Sequence, residues 1–285
     1  MTSVTDENAG TITIGEKTVR RLGFGAMRLT GPGIWGPPAD HDEAVSVLRR
    51  AVELCVNLID TADSYGPNVS EELIAESLHP YPDDLLIATK GGFVRTGPNV
   101  WPRDGRPKHL REACEGSLRR LRLDAIDLYQ HHGRDKKVRY KRSISAIKDL
   151  QDEGKIRHVG VSNVSVEQLE TAREIVEVVS VQNRFNLTDR RSQDVLERCE
   201  ELGIAFLAYA PIGAGELAEP GGPADRIASA HDVTPSQVAL AWLLARSPVI
   251  VPIPGTSSVG HLEEDLAAAE LRLSDDELAE LEAAA

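Results

Sequence analysis

The sequence predicts an α/β chain that closes into a (β/α)8 TIM barrel with an N-terminal β-hairpin. Three observations carry that expectation. Eight short apolar segments recur along the 285 residues, amphipathic stretches of helical period separate them, and no long linker or Pro/Gly/Ser-rich break divides the chain. One barrel domain spanning residues 1–285 is therefore expected.

The elements follow in order. Residues 11–15 and 18–20 alternate around Gly15, Glu16 and Lys17, a hairpin signal suited to closing the barrel bottom. Residues 21–25 form the first barrel strand. Behind the acidic start Asp42 and Glu43, Ala44, Val47, Leu48, Ala51, Val52 and Cys55 fall at helical spacing. The remaining strands are expected at 56–60, 85–90, 125–130, 158–162, 179–182, 205–208 and 250–253, with helical stretches such as 143–153 and 166–176 between them. A doubly wound open sheet would need GxGxxG between a strand and a helix. Gly31, Gly33 and Gly36 match that spacing, but Pro32 lies inside it and Pro37 and Pro38 follow, so the third glycine cannot open a helix. The segment reads as a loop.

Composition narrows the partners. With 32 basic and 45 acidic residues the net charge is −13, which repels a phosphate backbone or an anionic membrane. Aromatics at 4% argue against base stacking, so neither nucleic acid nor membrane is expected, and no partner protein is implied. Residues 1–8 carry no basic or apolar leader, and the longest apolar stretch, 238–245, is too short to span a bilayer. Cys55, Cys114 and Cys199 are far apart and without a CxxC pair, which points to a reducing cytoplasm and to neither disulfide nor zinc.

Chemistry in this architecture sits at the C-terminal ends of the strands. Asp60 ends the second strand, Lys90 ends the third, His132 follows the fourth, and Tyr65 lies on the loop after Asp60. Each alone has a structural explanation: a turn cap, a solvated strand end, a hydrogen-bonded histidine, a half-buried tyrosine. Their convergence on one rim favours a site. The pair His131 and His132 also raises a metal reading. Adjacent strand residues face opposite sides, however, and no HxH or HExxH accompanies them, so no metal is expected.

Five motifs, in this order and spacing, carry a resemblance to the aldo-keto reductases over essentially the whole length: residues 58–66 (LIDTADSYG), 88–92 (ATKGG), 127–132 (DLYQHH), 154–163 (GKIRHVGVSN) and 181–183 (VQN). The resemblance implies that Asp60, Tyr65, Lys90 and His132 are a catalytic tetrad. Tyr65 would donate a proton to the developing alkoxide, Lys90 would lower the Tyr65 pKa, Asp60 would hold Lys90 charged, and His132 would orient the carbonyl oxygen.

It also implies a reduced nicotinamide cofactor, NADPH with NADH as the alternative, since no side chain supplies hydride. Its carboxamide would meet Ser162, Asn163 and Gln182, and its ring would stack on Tyr209. Taken alone, Ser162 and Asn163 read as a helix N-cap. The phosphates and adenosine would meet Pro211, Gly213, Gly215, Gly255, Thr256, Ser257 and His261, with Gly25, Met27, Asp60, Glu264 and Asp265 completing the set. Two departures matter. Gly255, Thr256 and His261 stand where the family commonly has Lys-Ser and Arg, which weakens the expected preference for a 2′-phosphate, and Gly133 and Arg134 replace Trp-Pro after the catalytic histidine.

The segments 23–29 and 31–38 are similar to the pyridoxal-reductase-like branch, implying reduction of pyridoxal or another aromatic aldehyde. Trp35 would offer a stacking face, and Arg28 or Arg134 would meet an anionic substituent. The rival reading is a cofactor-binding, redox-sensing regulatory subunit of the same fold with little turnover.

Overall fold

In a computed structural model, residues 3–213 and 222–283 are described. The chain opens with α1 (Asp6–Ala9) and an antiparallel hairpin of β1 (Thr11–Ile14) and β2 (Lys17–Arg20). The barrel strands are β3 (Phe24–Gly25), β4 (Leu58–Asp60), β5 (Leu86–Gly91), β6 (Ile126–His131), β7 (Ile156–Ser162), β8 (Val178–Arg184), β9 (Ala205–Tyr209) and β10 (Ile250–Pro252). They lie side by side in chain order, every neighbouring pair parallel. The Gly23 N–H donates to Pro252 O at 3.0 Å and the Gly25 N–H to Pro254 O at 2.8 Å, which ties the first strand to the last and closes the ring.

Helices cover the outside: α2 (His41–Glu53), α3 (Val69–Leu78), α4 (Pro107–Leu121), α5 (Tyr140–Asp152), α6 (Val166–Arg173), α7 (Gln193–Leu202), α8 (Pro223–His231) and α9 (Pro235–Arg246). The chain continues through α10 (Val259–Ala267) to α11 (Asp275–Ala283). Asp40 caps α2 by accepting the Glu43 N–H, and the helix buries Ala44, Val47, Leu48 and Ala51 on the expected stripe. Cys55 falls outside it. The helix ends at Glu53, and Cys55 is exposed in the left-handed region at φ 66°. Strand boundaries differ from the sequence expectation by one to three residues, most at the first strand, which pairs only over Phe24 and Gly25.

Alternation along the strands builds the interior in layers. Leu58, Leu86, Ala88, Leu128, Leu207 and Val251 share one buried cluster with Ile14 and Val19, so the hairpin plugs the barrel floor. Two residues further along the same strands stand Asp60, Lys90, Gln130 and Tyr209. The apolar floor thus carries a polar ceiling at the C-terminal ends. Register fixes that ceiling: Lys90 pairs with Gln130 and Ser162 with Gln182. Outside the ring, Glu71 of α3 is fully buried yet bonded to Arg120 of α4 at 2.7 Å and to the Thr89 hydroxyl at 2.6 Å. A buried carboxylate so paired locks two helices onto β5.

Candidate active site

Lys90 is the centre of the ceiling. Its fully buried Nζ donates to Asp60 Oδ1 at 2.6 Å, to Thr61 O at 2.7 Å and to the Tyr65 hydroxyl at 3.3 Å, which uses all three donors. Asp60 Oδ2 accepts from Gln182 Nε2 at 2.7 Å and from Gln130 Nε2 at 3.0 Å. The buried ion pair is therefore fully hydrogen-bonded, the condition under which burying two charges is tolerable.

Electrostatics follow from this geometry. Burial pushes Lys90 down, but Asp60 and Tyr65 together outweigh it and hold the ammonium above its ordinary value. For Tyr65 burial is the largest influence and raises its pKa, with Lys90 opposing only in part. Lys90 pulls the Tyr65 pKa downward as expected, but desolvation outweighs it, so the net direction is upward and the phenol stays protonated. His132 is held well below its ordinary value by burial and then by the Lys90 charge, so it is a neutral ring. His131 is turned the other way, its ring 5.5 Å from that of Tyr140, with burial lowering it to about 4. Among the described residues no three His, Cys, Asp or Glu side chains are grouped to hold a metal ion.

Around Tyr65 the loops form an aromatic wall. Trp101 stands edge-on to Tyr65 at 6.3 Å, and Phe93 lies 4.3 Å from the His132 ring. Trp35, the expected stacking face, packs over the Arg95 guanidinium at 5.7 Å. Arg28 is exposed with its stem against Gly255, on the last-strand loop, and Arg134 is exposed beside the mouth.

The next face of the mouth is built from β7 to β9. The Tyr209 hydroxyl donates to Asn163 Oδ1 at 2.8 Å, and Asn163 Nδ2 donates to His132 O and to Ser162 Oγ, each at 3.0 Å. Asn163 holds a left-handed backbone, φ 57°, which Asn tolerates better than most residues. Gln182 Nε2 donates to Asp60 Oδ2 at 2.7 Å and to Gln130 Oε1 at 3.4 Å, which leaves its oxygen as an acceptor. This hydroxyl, these two amides and the flat Tyr209 face fit the amide and ring of a nicotinamide.

Gly255 is pressed against Gly25, where any Cβ would collide with the Gly25 carbonyl oxygen. The Ser258 N–H donates to Thr256 Oγ1 at 3.1 Å, while Ser257 and His261 are exposed. The first turn of α10 is less open than the sequence suggests, because the Val259 N–H already donates to Glu43 Oε1 at 2.8 Å. Glu264 accepts from the Thr234 hydroxyl, and Asp265 is buried. Met27 lies on the short helical turn after Gly25, and Pro211 and Gly213 follow β9. Gly215 lies outside the described residues.

Sequence reasoning missed several contributors. Gln130 lies two residues before His132, so strand alternation alone could have placed it inside the barrel. Phe93, Arg95, Trp101 and Arg103 sit on one long loop after β5, where no periodicity marks direction.

A parallel barrel with a buried Lys–Asp pair beside a protonated tyrosine at its mouth agrees with the class that the comparisons give, an NAD(P)H-dependent oxidoreductase. The chain belongs to the aldo/keto reductase family, whose family model matches residues 21–285. It is 50% identical to an uncharacterized oxidoreductase of Schizosaccharomyces pombe, covering 98% of this chain and 91% of that protein. It is 42% identical to pyridoxine 4-dehydrogenase of Escherichia coli, over 96% of this chain and 98% of the relative. Among solved structures, an aldo-keto reductase from Klebsiella pneumoniae in complex with NADPH superposes with a TM-score of 0.82 at 27% identity, covering 96% of this chain and 94% of that one.

Proposed function

We propose that the whole chain, acting as one barrel domain, reduces an aldehyde or ketone to an alcohol with NADPH, Tyr65 giving the proton. One observation carries this reading: the Lys90 ammonium that is paired with Asp60 also reaches the Tyr65 hydroxyl, at 3.3 Å. A nicotinamide held by Ser162, Asn163, Gln182 and Tyr209 would supply the hydride that no side chain can. The residues do the rest. Neutral His132 directs a ring N–H at the carbonyl oxygen, and Tyr65 O–H donates its proton as that oxygen gains charge. Lys90 stabilises the phenolate left behind, and Asp60 keeps Lys90 in place. Ser162, Asn163, Gln182 and Tyr209 hold the nicotinamide end.

The substrate class is an aromatic aldehyde, pyridoxal among them. The wall of Trp101 and Phe93 beside Tyr65 and His132 supports it, as does the similarity to pyridoxine 4-dehydrogenase. Steady-state consumption of NADPH with pyridoxal, 4-nitrobenzaldehyde, a simple aldose and a ketosteroid tests the reading. Repeated turnover with the aromatic aldehydes preferred is expected. Turnover limited to one equivalent of bound cofactor would instead identify a redox-sensing subunit.

A further inference from the structure

We propose that Arg103 recognises an anionic substituent, a carboxylate or phosphate, on the carbonyl substrate. The inference rests on the carbonyl-reduction reading and assigns the charge on the substrate. It starts from a conflict in the sequence: the chain carries −13 overall, yet residues 134–142 hold six basic side chains and one acidic. The structure brings this run against the loop after β5, where Arg103, Arg106, Lys108, Lys137, Arg139 and Arg142 line a groove of about 1190 Å³.

The two carboxylates of that groove are already engaged. Asp104 is held by Arg106 at 2.8 Å, and Asp135 accepts the backbone N–H groups of Gly105 and Lys137. Among the described residues, Arg103, Lys137, Arg139 and Arg142 form no ion pair, so their charge stays available. Both α4 and α5 start beside the groove with no acidic residue in the first turn and no side-chain cap. Their positive ends add to the same field.

Arg103 joins this field to the reacting centre. It pairs with Phe93 across an antiparallel bridge, and its guanidinium lies over the Phe93 ring at 5.3 Å. The same Phe93 ring meets the His132 ring edge to face, at 4.3 Å. The chain after His132 passes close to both: a Cβ at Gly133 would stand in ordinary contact, 3.6 Å, with Arg103 Nε and Phe93 Cζ. The Arg103 charge is felt at both His132 and Tyr209, the two sides of the mouth. Arg103 Nη1 donates to the Arg134 carbonyl at 3.2 Å, leaving most of its fork free for a ligand oxygen pair.

The test compares 4-carboxybenzaldehyde with 4-nitrobenzaldehyde, which match in shape and differ in charge. Arg103→Gln is expected to lower the carboxylate-to-nitro ratio of kcat/KM about tenfold, mainly through KM, and Arg103→Lys to restore part of it. Added salt should depress kcat/KM for the carboxylate selectively in the wild type and much less in Arg103→Gln. A ratio in Arg103→Gln equal to that of the wild type would overturn the proposal. Failure of the wild type to reduce either aldehyde would overturn the carbonyl-reduction reading itself, and the inference with it.

Discussion

Lys90 Nζ stands 2.6 Å from Asp60 Oδ1, and neither side chain reaches solvent beyond a few per cent of its surface. Such a pair is tolerable only while both members are present. Asp60→Asn strands a buried ammonium, so a loss of about 3–5 kcal/mol in unfolding free energy is expected, together with loss of turnover. Urea unfolding of the variant measures it. Stability within about 1 kcal/mol of wild type would show that Lys90 does not depend on Asp60.

Tyr65→Phe removes the hydroxyl and keeps the ring against Trp101 and His132. Ser162, Asn163, Gln182 and Tyr209 are untouched, so cofactor affinity measured by fluorescence quenching should persist while kcat falls on the order of 10²–10⁴. Near-normal turnover would end the assignment of Tyr65 as proton donor.

How far the sequence speaks can be judged from these same residues. Asp60, Lys90 and His132 were legible because each ends or follows a strand, and alternation puts such residues inside the barrel. The strand order was legible because β4 to β10 keep apolar runs that no helix period explains. Arg95 and Arg103 were not legible, since their partners are backbone carbonyls and rings on a loop whose path depends on tertiary contacts. The direction of the Tyr65 shift was missed for a related reason: Lys90 is visible in sequence, but the burial that outweighs it is not.

The proposed cofactor site takes in α10. Its first N–H, that of Val259, is taken by Glu43, and His261 is exposed two residues on, in the same turn. A histidine ring lacks the planar fork with which arginine would give a charged, bidentate pair. His261→Arg should therefore tighten NADPH more than NADH in equilibrium binding. Equal effects on the two cofactors would remove His261 from the neighbourhood of the 2′-phosphate.

Asp265 supplies a pH dependence. Burial first, and Glu264 second, push its carboxyl up to about 7, against about 3.9 in an unfolded chain. Between those values the native chain keeps a proton that the unfolded chain has released. Stability from this group is thus complete below about pH 4 and is lost as pH rises through 7, by up to about 4 kcal/mol. Asp265→Asn should flatten that slope, gaining about 2–3 kcal/mol on wild type between pH 5 and 8 in urea unfolding. Parallel pH profiles for the two proteins would show that Asp265 ionises normally in the fold.

Arg95 holds the aromatic wall. One guanidinium bonds the carbonyls of Gly33, Ile34, Ser64, Gly97 and Val100, and its plane lies 3.6 Å from the Trp101 ring and 5.7 Å from Trp35. The loops after β3, β4 and β5 therefore meet on one side chain. Arg95→Ala leaves five carbonyls to find water and removes the support of Trp101, so a raised KM for aromatic aldehydes is expected with about 1–3 kcal/mol lost in stability. Lysine cannot replace the planar fork, so Arg95→Lys should recover little. Because the Trp101 ring meets that of Tyr65 while the Trp35 ring packs on Arg95, Trp101→Ala should change the ranking of 4-nitrobenzaldehyde against a simple aldose more than Trp35→Ala does. If Trp35→Ala shifts that ranking more, the substrate ring stacks on the first loop and the wall described here is not its binding face.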